Sequence, residues 1–99
     1  MKKPTASIAF QILPNTSSNE KTIEIIDKVI ALVKKSGVNY EVGPMETTME
    51  GDLNTLLEIV RKSQILALKA GAKQVFSNVK ILINPQGVMT ISEKVTKHR

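Results

Sequence analysis

The sequence contains no cysteine and no tryptophan, and its single histidine is His98. The absence of cysteine excludes disulfides, thiolate metal sites and cysteine nucleophiles, and is compatible with a reducing compartment. We therefore expect a cytoplasmic protein. A histidine so near the end of the sequence is a poor choice for a catalytic base or a metal ligand. No cluster of histidine and carboxylate residues has metal-ligand spacing, and no glycine-rich phosphate loop is present. These absences predict a protein that is not an enzyme.

Long apolar runs are also missing, so the sequence predicts no membrane span and no signal peptide. The formal net charge is +5 and the pI about 9.6, but the lysines are scattered and indicate solvated faces rather than a phosphate track. Aromatic residues make up only 3% of the chain. RNA-binding modules stack bases on sheet aromatics, whereas two of the three here, Phe10 and Tyr40, are predicted to face a core. We expect no nucleic-acid partner.

The most informative stretch is residues 38–52, where two short alternating runs flank Gly43 and Pro44. Alternation at period two is typical of half-buried strands, and glycine followed by proline indicates a turn. This stretch therefore predicts a β-hairpin. It contains several carboxylates and no lysine or arginine, although the chain as a whole is basic. A locally negative hairpin suits a cationic or amine-bearing ligand.

Patterns before and after the hairpin predict the other elements of a single domain spanning residues 1–99. A strand is expected over 5–13 and a helix from a capping box at Ser17 and Glu20 to about residue 36, with Gly37 as its C′ residue. A second helix begins after Asp52 and ends at Gly71. The last strand spans 73–83, residues 84–87 form a turn, and Thr90 with Glu93 caps a short terminal helix. The hairpin strands are expected over 38–42 and 45–50.

This order, β-α-β-β-α-β, predicts a ferredoxin-like α/β sandwich. Its antiparallel four-stranded sheet would carry both long helices on one face, with the last strand at an edge. Alternation assigns one side of each strand to the core beneath the helices. The expected core residues of the strands are Ile8, Phe10, Ile12, Val38, Tyr40, Val42, Met45, Met49, Val79, Ile81 and Ile83.

The other face of the sheet is expected to lack a helix over it. Its apolar members form a patch on the first and last strands, which this interpretation treats as central: Ala9, Leu13, Phe76 and Leu82. Such a patch is typical of a partner or ligand surface, although scattered exposed apolar residues are common. If a second subunit buried this face, the polar groups of the face would need hydrogen-bond partners. Gln11, Thr48, Glu50, Asn78 and Lys80 are then candidates to line a polar pocket. From alternation alone, mutual neutralisation of Glu50 and Lys80 is somewhat favoured over binding of a ligand amine by Glu50.

Several segments resemble the thiamine-binding protein family. Residues 44–52 read Pro-Met-Glu-Thr-Thr-Met-Glu-Gly-Asp, which is similar to the family's Pro-Met-x-Thr-x-(Ile/Met)-Glu-Gly signature. Residues 7–14, Ser-Ile-Ala-Phe-Gln-Ile-Leu-Pro, resemble its first strand. Ser-Gly-Val-Asn-Tyr at 36–40, Ala-Gly-Ala-Lys-Gln-Val at 70–75 and Asn-Val-Lys-Ile at 78–81 resemble further segments. Glu46 departs from the pattern, since glycine is common there, and so does the Asn84–Pro85 ending of the last strand.

The resemblance implies a ferredoxin-like sandwich in homo-oligomers, dimers or tetramers, whose sheets join at edges and pack face to face. It also implies non-enzymatic binding of thiamine, or of its hydroxymethylpyrimidine part, at the sheet face. The alternatives are an interaction module without a small-molecule role, a protein that binds another small ligand, and a small enzyme acting on this ligand. Thr47 and Glu50 are the motif positions best carried over, although alternation places Thr47 on the core side. The predicted ligand-binding residues are Gln11, Thr47, Thr48, Glu50, Phe76, Asn78 and Lys80, with no catalytic or metal-binding residue.

Overall fold

The computed structural model describes residues 3–99 of the chain. Residues 1 and 2, part of the stretch considered for a signal peptide, lie outside this range. The elements follow the predicted order, with a short helix and a 3₁₀ turn, Thr96–His98, after the last strand. None of the helices within residues 3–99 is long and apolar enough to cross a membrane. The elements are β1 (Ala6–Asn15), α1 (Asn19–Lys35), β2 (Asn39–Val42), β3 (Thr47–Gly51), α2 (Leu53–Lys69), β4 (Gln74–Ile83) and α3 (Ile91–Val95).

The four strands form one sheet in the order β2-β3-β1-β4, and every neighbouring pair is antiparallel. This confirms the ferredoxin-like arrangement. The two central strands are β1 and β3. The last strand, β4, lies at an edge as predicted, so the placement of the apolar patch on two central strands was wrong. The register places Ile8 opposite both Met49 and Ile81. Residues facing each other across the ladder point to the same side of the sheet, so this register determines which side chains meet.

Local hydrogen bonds explain where the helices begin and end. The α1 helix starts one residue later than the predicted capping box, because the Ser18 hydroxyl, not that of Ser17, accepts from the Lys21 backbone N–H at 3.1 Å. Gly37 follows the helix with φ of +82°, a conformation that residues with a Cβ rarely adopt. The Asp52 carboxylate accepts from the Thr55 N–H at 2.9 Å and caps α2 as predicted.

The core lies between the sheet and the two long helices. Ile8, Phe10 and Ile12 of β1 and Met49 of β3 are buried against apolar residues of both helices, as the alternation predicted. The helices do not cover all of β4. The residues of β4 that were expected in the core are exposed because β4 is an edge strand. The predicted core residues that are exposed are Val42, Met45, Val79, Ile81 and Ile83.

The helix-free face is not entirely open, which corrects the expectation that no helix covers it. The short helix α3 contacts β3 at the end of the sheet where Glu50 lies, and Ile91 is buried there. Its start is fixed by the capping box that the sequence predicted. The Thr90 hydroxyl accepts from the Glu93 N–H, and the Glu93 carboxylate accepts from the Thr90 N–H. The rest of this face carries no helix.

Candidate functional site

Two carboxamides meet on the open part of the helix-free face. Gln11 of β1 lies opposite Asn78 of β4 in the ladder, and the Asn78 Nδ2–H donates to Gln11 Oε1 at 2.9 Å. This bond uses one donor of Asn78 and one acceptor position of Gln11. The Asn78 oxygen and the Gln11 amino group remain available. The pair therefore presents both an acceptor and donors to anything that lies on this part of the sheet.

A shallow floor lies next to the carboxamides. Ala9 of β1 is flanked in the ladder by Thr48 of β3 on one side and Lys80 of β4 on the other. Its small side chain keeps the surface low between two longer neighbours. The Lys80 Nζ reaches across this floor toward the hairpin and contacts Glu46 Oε2 at 2.9 Å. The ion pair between Lys80 and Glu46 thus passes over β1 above Ala9.

The floor belongs to a groove across the sheet face. One cavity, of about 330 Å³, lies toward α3 and another, of about 540 Å³, lies toward the hairpin turn. Both are lined by Glu41, Thr48 and Lys80, so the two cavities adjoin, and we call them together the sheet groove. Each volume falls within the range typical of small-molecule sites. The lining combines alcohol, carboxylate, ammonium and apolar groups, a mixture suited to a small polar molecule with an aromatic part.

Glu50 lies outside the sheet groove. Its side chain is 7% exposed, and its Oε1 accepts from the Ile91 backbone N–H at 2.5 Å. Lys80 contacts Glu46, so the predicted neutralisation of Lys80 by Glu50 is not observed. The register explains this, because Glu50 lies opposite Ser7 whereas Lys80 lies opposite Ala9, two residues along the same strand. In this structure Glu50 fixes the start of α3.

Thr47 lies on the other side of the sheet, as alternation indicated. It pairs with Phe10, is buried, and lines a cavity of about 370 Å³ between the hairpin and α1. Its neighbour Thr48 lines the sheet groove. Adjacent strand residues point to opposite faces, so no single site on one face of this sheet brings both threonine side chains together.

Phe76 is on the correct face but lies away from the groove. It pairs with Leu13 near the beginning of β4, four residues from Lys80 and so roughly 13 Å away by strand rise. Its side chain is 62% exposed. The structure therefore brings together Gln11, Thr48, Asn78 and Lys80, and leaves Thr47, Glu50 and Phe76 in three other environments.

The structure adds groove residues that sequence reasoning did not select. Glu41 of β2 faces the groove next to its ladder partner Thr48 and forms an ion pair with Arg99. Alternation puts Glu41 on the face opposite to the predicted core residues Tyr40 and Val42, but nothing in the sequence distinguishes it from the other acids. Lys94 and Val95 of α3 line the end of the groove. The capping box predicted α3 itself, but no sequence signal indicated which surface α3 packs against.

The electrostatics of the groove rest on two ion pairs, Lys80 with Glu46 and Arg99 with Glu41. Nearby, the Thr90 backbone N–H that bonds to the Glu93 carboxylate lowers the pKa of Glu93 below its ordinary value. Within residues 3–99, no three histidine, aspartate or glutamate side chains lie close enough together to hold a metal ion. What the groove offers is ionic and hydrogen-bonding recognition.

Comparison with known proteins gives consistent results. The chain is 48% identical over 95 residues to UPF0045 protein CPE1503 of Clostridium perfringens (strain 13 / Type A), covering 96% of this chain and 98% of that protein. A domain of unknown function, DUF77, from Bacillus cereus has a similar structure, with a TM-score of 0.85 and 40% identity over 95% of this chain and 89% of that one. A Thermotoga maritima protein proposed to act in thiamine biosynthesis or salvage superposes with a TM-score of 0.82 and 29% identity, covering 95% and 98% of the two chains. The family model described as thiamine-binding protein matches residues 8–99. The chain therefore belongs to the thiamine-binding protein family.

Proposed function

We propose that this protein binds thiamine, or its hydroxymethylpyrimidine part, in the sheet groove without chemically changing it. The observation that carries the proposal is the groove itself, where Gln11, Thr48 and the carboxylates of Glu41 and Glu46 line adjoining depressions on the sheet face, and where Asn78 lies beside them, bonded to Gln11. Family membership and the thiamine-related role suggested for the Thermotoga maritima relative support this ligand class. We further propose that the protein acts in the cytoplasm in delivery, storage or sensing.

The chemistry of the ligand matches the carboxamide pair. The aminopyrimidine of thiamine presents an amino donor beside a ring-nitrogen acceptor. A carboxamide offers the complementary acceptor and donor, as asparagine and glutamine do when they read adenine. Asn78 and Gln11 keep such groups available after bonding to each other. Thr48 adds a hydroxyl at the groove wall. These three residues are the proposed pyrimidine contacts.

The remaining predicted residues receive different proposed roles. Lys80 and Glu46 form an ion pair at the edge of the site, and Lys80 would orient Glu46 rather than contact a cation itself. Phe76 is too far from the groove of its own subunit, so we propose that it packs on a second copy of the chain. Thr47 and Glu50 would support the site by fixing the hairpin and α3.

The proposed homo-oligomer rests on β4. This strand is ten residues long, lies at the sheet edge, and exposes apolar residues on both faces. A long unpaired edge with such residues is a template for pairing with another chain. A sister subunit would cover the part of the helix-free face that α3 leaves open. The same observation favours the alternative that this contact is the whole function and the protein is an interaction module.

Calorimetric titration distinguishes these functions. We expect heat on adding thiamine, and also on adding hydroxymethylpyrimidine, but little on adding the thiazole fragment alone. Gln11→Leu combined with Asn78→Leu should remove the pyrimidine contacts and abolish the heat. The matched control is Gln86→Leu, which changes an exposed carboxamide in the turn after β4. Absence of heat with millimolar thiamine would reject the proposal and leave the interaction module or the binding of another small ligand. Chemical turnover of thiamine or a precursor would show an enzyme instead.

A further inference from the structure

We propose that Glu41 is the carboxylate that meets the ligand's positive charge, and that Arg99 occupies this position until a cationic ligand displaces it. This inference rests on the proposed function, because it concerns the same groove. Glu41 lines the groove on both sides of its midpoint, toward α3 and toward the hairpin turn. Its carboxylate is paired with the Arg99 guanidinium. The guanidinium is a planar, delocalised cation, as is the thiazolium ring of thiamine.

The other two acids near the groove do not fit this role. Glu50 is buried and its carboxylate accepts the Ile91 N–H. Glu46 contacts Lys80 and lines only the part of the groove toward the hairpin turn, not the part toward α3. Glu41 differs because its partner belongs to the segment after α3 rather than to the sheet.

Arg99 is suited to leave. It follows the 3₁₀ turn Thr96–His98, its side chain is exposed, and its own backbone N–H bonds only to the Thr96 carbonyl within the described chain. Releasing its guanidinium therefore breaks one solvent-accessible ion pair and leaves the capping box of α3 intact. Exposed ion pairs are weak, so the competition that Arg99 offers is modest. Removing it should tighten binding of a cation by no more than about fivefold.

The contact also predicts selectivity between the two halves of thiamine. The thiazolium carries a permanent positive charge, whereas hydroxymethylpyrimidine is neutral at pH 8. Only the charged ligand competes with Arg99 for Glu41. Loss of Arg99 should therefore raise the affinity for thiamine and leave that for hydroxymethylpyrimidine unchanged. The thiamine affinity should also depend on salt concentration, since exposed charges are screened.

The test combines calorimetry with four variants at low salt. Arg99→Gln should tighten thiamine binding about two- to fivefold without changing hydroxymethylpyrimidine binding. Lys97→Gln, the matched control, removes an exposed cation from the same segment and should leave both affinities as they are. Glu41→Gln should weaken thiamine binding. Adding Arg99→Gln to Glu41→Gln should have no further effect, because the two groups act through one contact.

A second measurement follows the segment directly. The chain has no cysteine, so His98→Cys creates a unique attachment point for a nitroxide spin label beside Arg99. Thiamine should increase the mobility of the label, and Glu41→Gln should do so without ligand. Two results would overturn this inference alone. One is an affinity for thiamine that is unchanged or weaker in Arg99→Gln, and the other is a label whose mobility does not increase when thiamine is added. Absence of thiamine heat in every variant would overturn the proposed function and this inference with it.

Discussion

Replacing Glu50 by alanine should release α3 from the sheet. The carboxylate is 7% exposed and accepts the Ile91 N–H at the first position of the helix. Truncation leaves that donor without its partner in a buried place, which costs roughly 1–3 kcal/mol. A central value of about 2 kcal/mol corresponds to a change of about 30-fold in the opening equilibrium of α3, since each 1.4 kcal/mol is tenfold. The strands should be little affected because Glu50 makes no bond within the core.

Amide hydrogen exchange measures this opening residue by residue. In Glu50→Ala we expect the protection of the Ile91 amide to fall about 30-fold while that of Ile8 in β1 is retained. Glu50→Gln keeps an acceptor oxygen and should lose only a few-fold of protection. Asn39→Ala, at the exposed ladder partner of Glu50, serves as the control. Equal Ile91 protection in wild type and Glu50→Ala would refute the assignment of Glu50 as the anchor of α3.

Three further predictions test the core, the terminal helix and the subunit contact. Met49 is 0% exposed, so Met49→Ala should lower the free energy of unfolding, measured in urea at fixed protein concentration, by about 2–5 kcal/mol. Met45 is 74% exposed, so Met45→Ala should change it very little, and equal losses in the two variants would contradict the described core. The lowered pKa of Glu93 means that its contribution to α3 is complete above its ordinary pKa of 4.5 and is lost as the pH falls through the lower folded value. Protection of the Ile91 amide should therefore decline more on acidification in wild type than in Glu93→Gln. Phe76→Asp should dissociate the oligomer in native mass spectrometry, whereas Ile23→Asp, on an equally exposed residue of the helix layer, should not.

The fold could be read from the sequence because several local signals agreed. The alternation of Ile8, Phe10 and Ile12 gave the buried side of the first strand, and these residues are in the core. Asp52 and the Thr90–Glu93 box predicted helix starts that the structure confirms. Caps, turns and alternation act within a few residues, so they can be recognised without knowledge of the tertiary contacts.

The residues that were misjudged depend on contacts that alternation does not encode. The alternation of apolar and polar residues along a strand indicates which side of the sheet a residue faces, but not whether another element covers that side. Ile81 and Ile83 face the helix layer and are nonetheless exposed, because β4 lies at the edge. Glu50 faces away from the long helices and is nonetheless buried, because α3 packs against it. Depth of burial is set by neighbouring elements, and these become known only when the chain is folded.

The hairpin motif that suggested the family serves the fold at least as much as the groove. Within residues 47–52, Met49 is buried in the core, Glu50 anchors α3 and Asp52 caps α2. Four residues of the motif line the sheet groove, namely Pro44, Met45, Glu46 and Thr48. The motif therefore divides into a first part that shapes the groove and a second part, from Met49 onward, that holds the fold together. The role proposed for Glu41 would put discrimination by charge outside the motif, on the neighbouring strand, so we expect chains that share the motif but differ at this position to differ in the small molecules they accept.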